Sequence, residues 1–110
     1  MTDDAFRVAT ESEALLTVEL GAHGLDGEAD ELLVFVRSRL DGSHHDAIEL
    51  DGKDAAIVTL EGIGVLVRLA REARQAGTVL RIVSPHAALV RKLRQTGTFG
   101  SLTSDAEGVL

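Results

Sequence analysis

Phe6, Val8 and Thr10 alternate with Arg7 and Ala9, and Leu16, Val18 and Leu20 alternate with Leu15, Thr17 and Glu19. A period of two turns successive side chains to opposite faces, so both runs read as half-buried strands. The polar Glu11-Ser12-Glu13 segment turns the chain between them. Gly21 to Gly27 reads as a loop, with Asp26 placed to cap a helix that runs from Gly27 to Leu40. In that helix Ala29, Leu32, Leu33, Val36 and Leu40 keep the i, i+3, i+4 spacing of one buried stripe. Glu28, Asp30 and Glu31 lie at the end of the helix dipole that favours negative charge, and Arg37 and Arg39 at the end that favours positive charge. Val34 and Phe35 fall off the stripe. Phe35 flanks the core in one reading and belongs to a contact surface in the other. Asp41-Gly42-Ser43 closes the helix.

The second half repeats a strand–helix alternation. Ala47 to Leu50 is a short apolar strand, followed by a polar turn from Asp51 to Asp54, and Ile57-Val58 leads into a second helix. Thr59 is its expected N-cap and Ala76-Gly77 its stop. Ile63, Leu66, Val67, Ala70 and Ala73 form its apolar stripe, with Arg68, Arg71, Glu72, Arg74 and Gln75 on the wet side. Val79 to Val83 is the next strand. Ser84-Pro85 announces a third helix by a cap followed by proline at the first helical position. Leu89, Val90 and Leu93 point inward there, and Gly97 ends it. Phe99 to Thr103 reads as a last short strand, with Asp105 to Leu110 as a tail. The fold class is α/β: a mixed sheet of four to five strands, an N-terminal antiparallel hairpin, parallel β-α-β units with right-handed crossovers, and three main helices.

With 110 residues, 45% hydrophobic and 26% charged, the chain is expected to form one domain over 1–110. It has no cysteine, which removes disulfides, thiolate metal sites and cysteine nucleophiles. The acidic start from Met1 to Asp4 is the opposite of a signal peptide, and no apolar run approaches the ~18 residues of a membrane span, so a cytoplasmic location without membrane insertion is expected. The net charge of −7 argues against nucleic acid as a partner. Its distribution is uneven. Residues 1–61 hold 15 Asp/Glu against 4 Lys/Arg, and residues 62–110 hold 3 against 7. This asymmetry serves either solubility or an acidic surface facing basic partners.

Four pieces, in order and at matching spacing, carry a family resemblance. Leu16 to Leu20 runs into Gly21 and then Leu25-Asp26. Ala47 to Gly62 leads from the third strand to a turn without a gap. Gly62-Ile63-Gly64-Val65-Leu66 opens the second helix. Val83-Ser84-Pro85 is followed by Leu93 and Thr96-Gly97. Together they resemble the STAS domain of bacterial anti-sigma-factor antagonists, from Phe6 to about Leu102. The resemblance implies a partner-switching protein that binds an anti-sigma factor acting as a serine kinase. In that family the turn reads Asp-Ser-Ser-Gly-Leu-Gly, and its first serine takes a regulatory phosphate. The turn here is Thr59-Leu60-Glu61-Gly62-Ile63-Gly64. The glycines are kept, Thr59 replaces the aspartate, Leu60 the phosphorylated serine and Glu61 the second serine.

Three readings of this turn stay open. The module binds without switching; Thr59 takes the phosphate one residue early; or Glu61 supplies a fixed negative charge, about half that of a phosphate. The partner-binding turn is therefore Thr59 to Gly64, flanked by Leu25, Asp26, Arg68 and Arg71. Candidate partners are an anti-sigma factor or a related serine kinase. As a structural subunit, the chain would instead meet other STAS proteins or the ATPase of a lipid-transporting ABC system. Dimerisation through Val34, Phe35 or the segment from Phe99 is a further candidate.

No other constellation competes. Gly62-x-Gly64 has Val67 where a dinucleotide loop needs its third glycine. His44-His45-Asp46 reads as a solvated loop, because adjacent histidines point apart and seldom share one ion, and His23 lies far off in sequence. His86 reads as an exposed histidine near the turn. No serine sits in a nucleophile elbow, and Asp51 and Asp54 read as turn residues. No cofactor, metal or enzymatic activity is expected.

Overall fold

The computed structural model describes residues 6–23, 25–26, 29–42 and 45–103. The elements are β1 (Phe6–Glu11), β2 (Leu15–Leu20), α1 (Ala29–Gly42), β3 (Ala47–Asp51), α2 (Leu60–Gln75), β4 (Val79–Val83), α3 (Ala87–Gln95) and α4 (Phe99–Thr103). The expectations that rest on Gly24, Gly27, Glu28, Ser43, His44 and the tail from Asp105 lie outside the described residues.

One sheet orders the strands β1-β2-β3-β4, with β1 antiparallel to β2 and the rest parallel. The two-residue period expected for β2 is observed, as Leu16, Val18 and Leu20 are buried. Register then aligns buried rows across three strands: Leu16, Ile48 and Leu80 in one, Val18, Leu50 and Ile82 in the next. The helices pack on this face. α1 lies against α2, and α2 and α4 against β4.

The opposite face mixes charged side chains with apolar ones, among them half-buried Leu15 and Val83 and exposed Val79. Charged side chains pair across neighbouring strands there. Arg7 bonds Glu19, and Arg81 Nε donates to Glu49 Oε2 at 3.1 Å. Such cross-strand pairs keep an open face soluble and fix register. β1 is kinked by a register shift between Val8 and Thr10, which turns Glu11 toward the helices, opposite Leu16. Glu11 meets Arg39 Nη1 of α1 at 2.9 Å.

Several expectations need correction. Phe99–Thr103 is a helix turn, not a strand. Leu102 N–H donates to Thr98 O at 3.1 Å, Leu102 is buried, and Arg94 lies over the Phe99 ring at 4.6 Å. Five residues are too few for periodicity to separate the two conformations. The third helix is not capped by Ser84. Its N-cap is His86, whose Nδ1 accepts from Ala88 N–H at 3.0 Å, while Ser84 takes a left-handed φ of 49°. His45 is not solvated. It is 5% exposed, with Nδ1 at 2.7 Å from the Ser12 carbonyl and Nε2 at 3.6 Å from Glu11 Oε2. The buried stripe of α2 also includes Val65 and Leu69, with Val67 and Ala70 only half-buried. Phe35 flanks the core, its ring 4.8 Å from that of Phe6, whereas Val34 is 66% exposed. No helix among the described residues is long and apolar enough to cross a membrane.

α1 and α2 are tied by a two-pronged ion pair. Arg37 Nε donates to Glu72 Oε1 at 2.8 Å and Nη2 to Oε2 at 2.7 Å. The two hydrogen bonds hold the Glu72 carboxyl below its usual range against a smaller opposing effect of burial. A carboxylate whose folded pKa is depressed stabilises the fold above its unfolded pKa of about 4.3, and that stability is lost as pH falls through the folded value. Glu72→Gln is therefore expected to be less stable than wild type at neutral pH. The gap should close as the pH falls below about 4. Urea midpoints measured from neutral to acid pH check this.

Candidate functional site

The three parallel strands end on the same edge of the sheet, so the loops after β2, β3 and β4 gather there. Open α/β sheets place their binding sites at this edge. Leu25 and Val58 form an isolated parallel bridge between the first two loops. The Leu25 carbonyl then accepts twice from Thr59: from the backbone N–H at 3.2 Å and from the hydroxyl at 3.3 Å. Thr59 Oγ1 in turn accepts from Gly62 N–H at 3.1 Å. This is the N-cap expected of Thr59, and both functions of its hydroxyl are engaged.

Gly62 is buried, and a Cβ added there would run into the Leu25 carbonyl oxygen and lie 2.8 Å from its carbon. Gly64 is exposed, with nothing within 4 Å of the place a Cβ would take. The two glycines of the turn therefore have different roles. The first admits the β2–α1 loop, and the second leaves helix backbone bare on the surface.

The remaining expected site residues divide the same way. Leu60 is 68% exposed and opens α2, beside exposed Glu61. Leu60, Gly64, Arg68 and Arg71 are spaced by four, four and three residues, which sets them along one helix face, and all are exposed. Ile63 is buried. Leu25, expected on the partner surface, is fully buried and holds the turn through its carbonyl. Asp26 is half-buried. Its carbonyl accepts from Ala29 N–H at 3.2 Å and its carboxylate lies 3.5 Å from His23 Nδ1.

Two contributors were not singled out from sequence. Gly52 N–H donates to Val83 O at 3.0 Å and its carbonyl accepts from His86 N–H at 2.9 Å, locking the third loop to the second. Ile57 is 42% exposed, a second apolar side chain on the loop that carries Leu60. The only sequence signal for either was a turn-type Asp-Gly-Lys-Asp and an apolar residue outside any period. Among the described residues no group of His, Asp and Glu is arranged to hold a metal ion.

A family profile for the STAS domain matches residues 8–107, nearly the full length of the chain. The chain belongs to the STAS domain family. Its fold is shared with solved structures at low sequence identity. The anti-sigma factor antagonist SpoIIAA in its unphosphorylated form superposes with a TM-score of 0.77 at 16% identity, covering 94% of this chain and 89% of that one. The Bacillus cell fate determinant SpoIIAA in its phosphorylated form gives 0.65 at 17% identity, covering 94% and 92%. SLC26A9 gives 0.57 at 15% identity, over 84% of this chain but only 17% of that one. No curated protein sequence matches this STAS chain.

The geometry separates two substitutions of one type. Gly62→Ala is expected to destabilise by about 3 kcal/mol or more, because backbone must move to admit the methyl. Gly64→Ala should be neutral or stabilise by up to about 1 kcal/mol, the helix-propensity gain of alanine over glycine. Thr59→Ala should cost about 1 kcal/mol through the lost cap. Thermal or urea unfolding of the three variants checks the order.

Proposed function

We propose that this STAS domain is a non-catalytic protein-binding module that docks partners through the exposed face of α2 and its preceding turn, without a phosphoserine switch. The observation that carries the reading is Leu60. It is 68% exposed at the first position of a helix, where the family's regulatory serine would stand, and it has no hydroxyl. The neighbouring hydroxyl of Thr59 is bonded on both sides as a cap. That supports constitutive binding over phosphate transfer to Thr59.

A helix N-terminus bearing a serine is a good place for a phosphate, since free N–H groups and the dipole favour an anion. Phosphorylation there adds nearly two negative charges to a docking surface. In this chain the surface keeps an apolar side chain at that point and a single carboxylate at Glu61. The fitting partner presents an apolar patch opposite Leu60 and Ile57, with acidic groups toward Arg68 and Arg71. By similarity to the anti-sigma factor antagonist SpoIIAA, the first candidate is an anti-sigma factor or a related serine kinase, met in the cytoplasm.

A second reading is a structural subunit of a larger assembly, built from other STAS proteins or an ABC ATPase. What favours it is the fold's occurrence as a small fraction of a much longer chain in SLC26A9.

Tagged protein captured from its own cells, with mass spectrometry of partners and of the bait, tests both. Recovery of a kinase-type anti-sigma factor on unmodified bait is the expected result. Phosphate on Thr59, or recovery of an ATPase or STAS assembly with no such kinase, would overturn the first reading. Leu60→Asp is expected to cut partner capture at least about tenfold, a loss of ~1.4 kcal/mol. Its melting temperature should not change, because the side chain packs against little.

A further inference from the structure

The three parallel strands start on the edge of the sheet opposite the candidate site, and the segments before them meet at one residue. His45 lies just before β3, is buried, and has its Nδ1 2.7 Å from the carbonyl oxygen of Ser12, in the turn before β2. Its own carbonyl accepts from the hydroxyl of Thr78, the residue before β4, at 2.8 Å. Its Nε2 is sealed from water, has no hydrogen-bond partner among the described residues, and lies 3.6 Å from Oε2 of Glu11 at the end of β1. The same oxygen lies 2.9 Å from Arg39 Nη1 on α1. Asp46, next in the chain, is exposed.

The chemistry of these neighbours decides where protons can sit. A carbonyl oxygen only accepts, so the short contact to Ser12 places a proton on Nδ1. In a neutral ring Nε2 then keeps a bare lone pair, and it faces a carboxylate oxygen, which also accepts. Two acceptors 3.6 Å apart make no bond, and a buried polar atom left without one is destabilising. A proton between them removes the conflict. With Nε2–H the ring donates on both sides, and the gap to Glu11 has to close by only roughly half an ångström to reach hydrogen-bond length.

We infer that His45 and Glu11 form a proton-operated latch: as the pH falls through the histidine range, Nε2 takes up one proton from water and the new N–H donates to Glu11 Oε2, tying the end of β1 to the start of β3. Arg39 holds the carboxylate from the other side, so the latch also reaches α1. The Glu11 side chain is 32% exposed, which gives the proton a path to and from solvent. The device sits across the sheet from Leu60 and is independent of the docking proposed there.

Two measurements on the whole chain test the inference. Nitrogen NMR of the His45 ring between about pH 5 and about pH 8 is expected to show protons on both nitrogens at the lower end, and loss of the one on Nε2 first as the pH rises. Urea unfolding of wild type and Glu11→Gln over the same range reads the latch itself. A proton bound in the folded chain stabilises at low pH, and that contribution is lost as the pH rises through the histidine range. The carboxamide of the variant can donate to the bare Nε2 at either pH, so it lacks this dependence. The folding equilibrium constant of wild type relative to Glu11→Gln is therefore expected to be at least about fivefold larger at the lower pH. The other titrating groups are common to both proteins and cancel in the ratio. A ring that stays neutral at the lower pH, loss of the proton from Nδ1 first, or a ratio that is flat or grows toward the higher pH would each overturn it.

Discussion

The clamp between the Leu25 carbonyl and the start of α2 is the constraint on which the site depends. One carbonyl oxygen takes two hydrogen bonds from Thr59, and the Gly62 backbone packs against it where no side chain fits. The β2–α1 loop and the β3–α2 turn are thereby fixed as one body. The third loop joins through Gly52, bonded to both Val83 and His86. Parallel order brings these loops to one edge, and the clamp gives that edge a defined surface. Without it, Leu60 and Ile57 would be apolar residues on a loose loop rather than part of a prepared face, and binding would carry the cost of ordering them.

The layer beneath explains why the edge can be rigid. Apolar rows of leucine, isoleucine and valine cross three strands in register, and the helices cover them from one side. The uncovered side is kept wet by cross-strand ion pairs, Arg7 with Glu19 and Arg81 with Glu49. Exposed pairs of this kind add little stability. Their larger effect is to make a register slip costly, since a shift by one residue would carry these charges into the core.

Much of this was legible in the sequence, for reasons that can be stated. Long periodic segments such as α1 and α2 announce themselves, and so do ends marked by Thr59, Gly77 and Gly97, whose glycines take φ of 81° and 73°. What failed was short or non-local. Phe99 to Thr103 has too few residues to show a period, and its conformation is set by burial of Leu102. Ser84-Pro85 has the composition of a helix start, yet the loop bond from His86 to Gly52 moves the cap two residues on. His45 is buried because the bulge in β1 brings Glu11 and Ser12 over it, an arrangement no local pattern encodes. In the site, the alignment of Thr59, Gly62 and Gly64 was readable. That Leu25 acts from beneath, through its carbonyl, was not, because exposure of a loop residue depends on what the next loop does.

The turn divides its own residues between two tasks. Thr59, Gly62 and Ile63 face inward and hold the fold, while Leu60, Glu61 and Gly64 face outward and touch little of it. Helical geometry sets the division, since residues three or four apart return to the same side, Thr59 with Gly62 and Ile63 on one and Leu60 and Glu61 with Gly64 on the other. A consequence follows for how such a module loses or keeps a switch. The outward positions can exchange serine for leucine or glutamate with little effect on stability, because nothing in the core depends on them. Gly62 cannot change so freely, because a Cβ there would meet the Leu25 backbone. Change at the outward positions with retention of the platform is therefore what the packing permits most easily. The surface that the proposed docking would use is apolar at Leu60, acidic at Glu61, bare backbone at Gly64 and cationic from Arg68 onward.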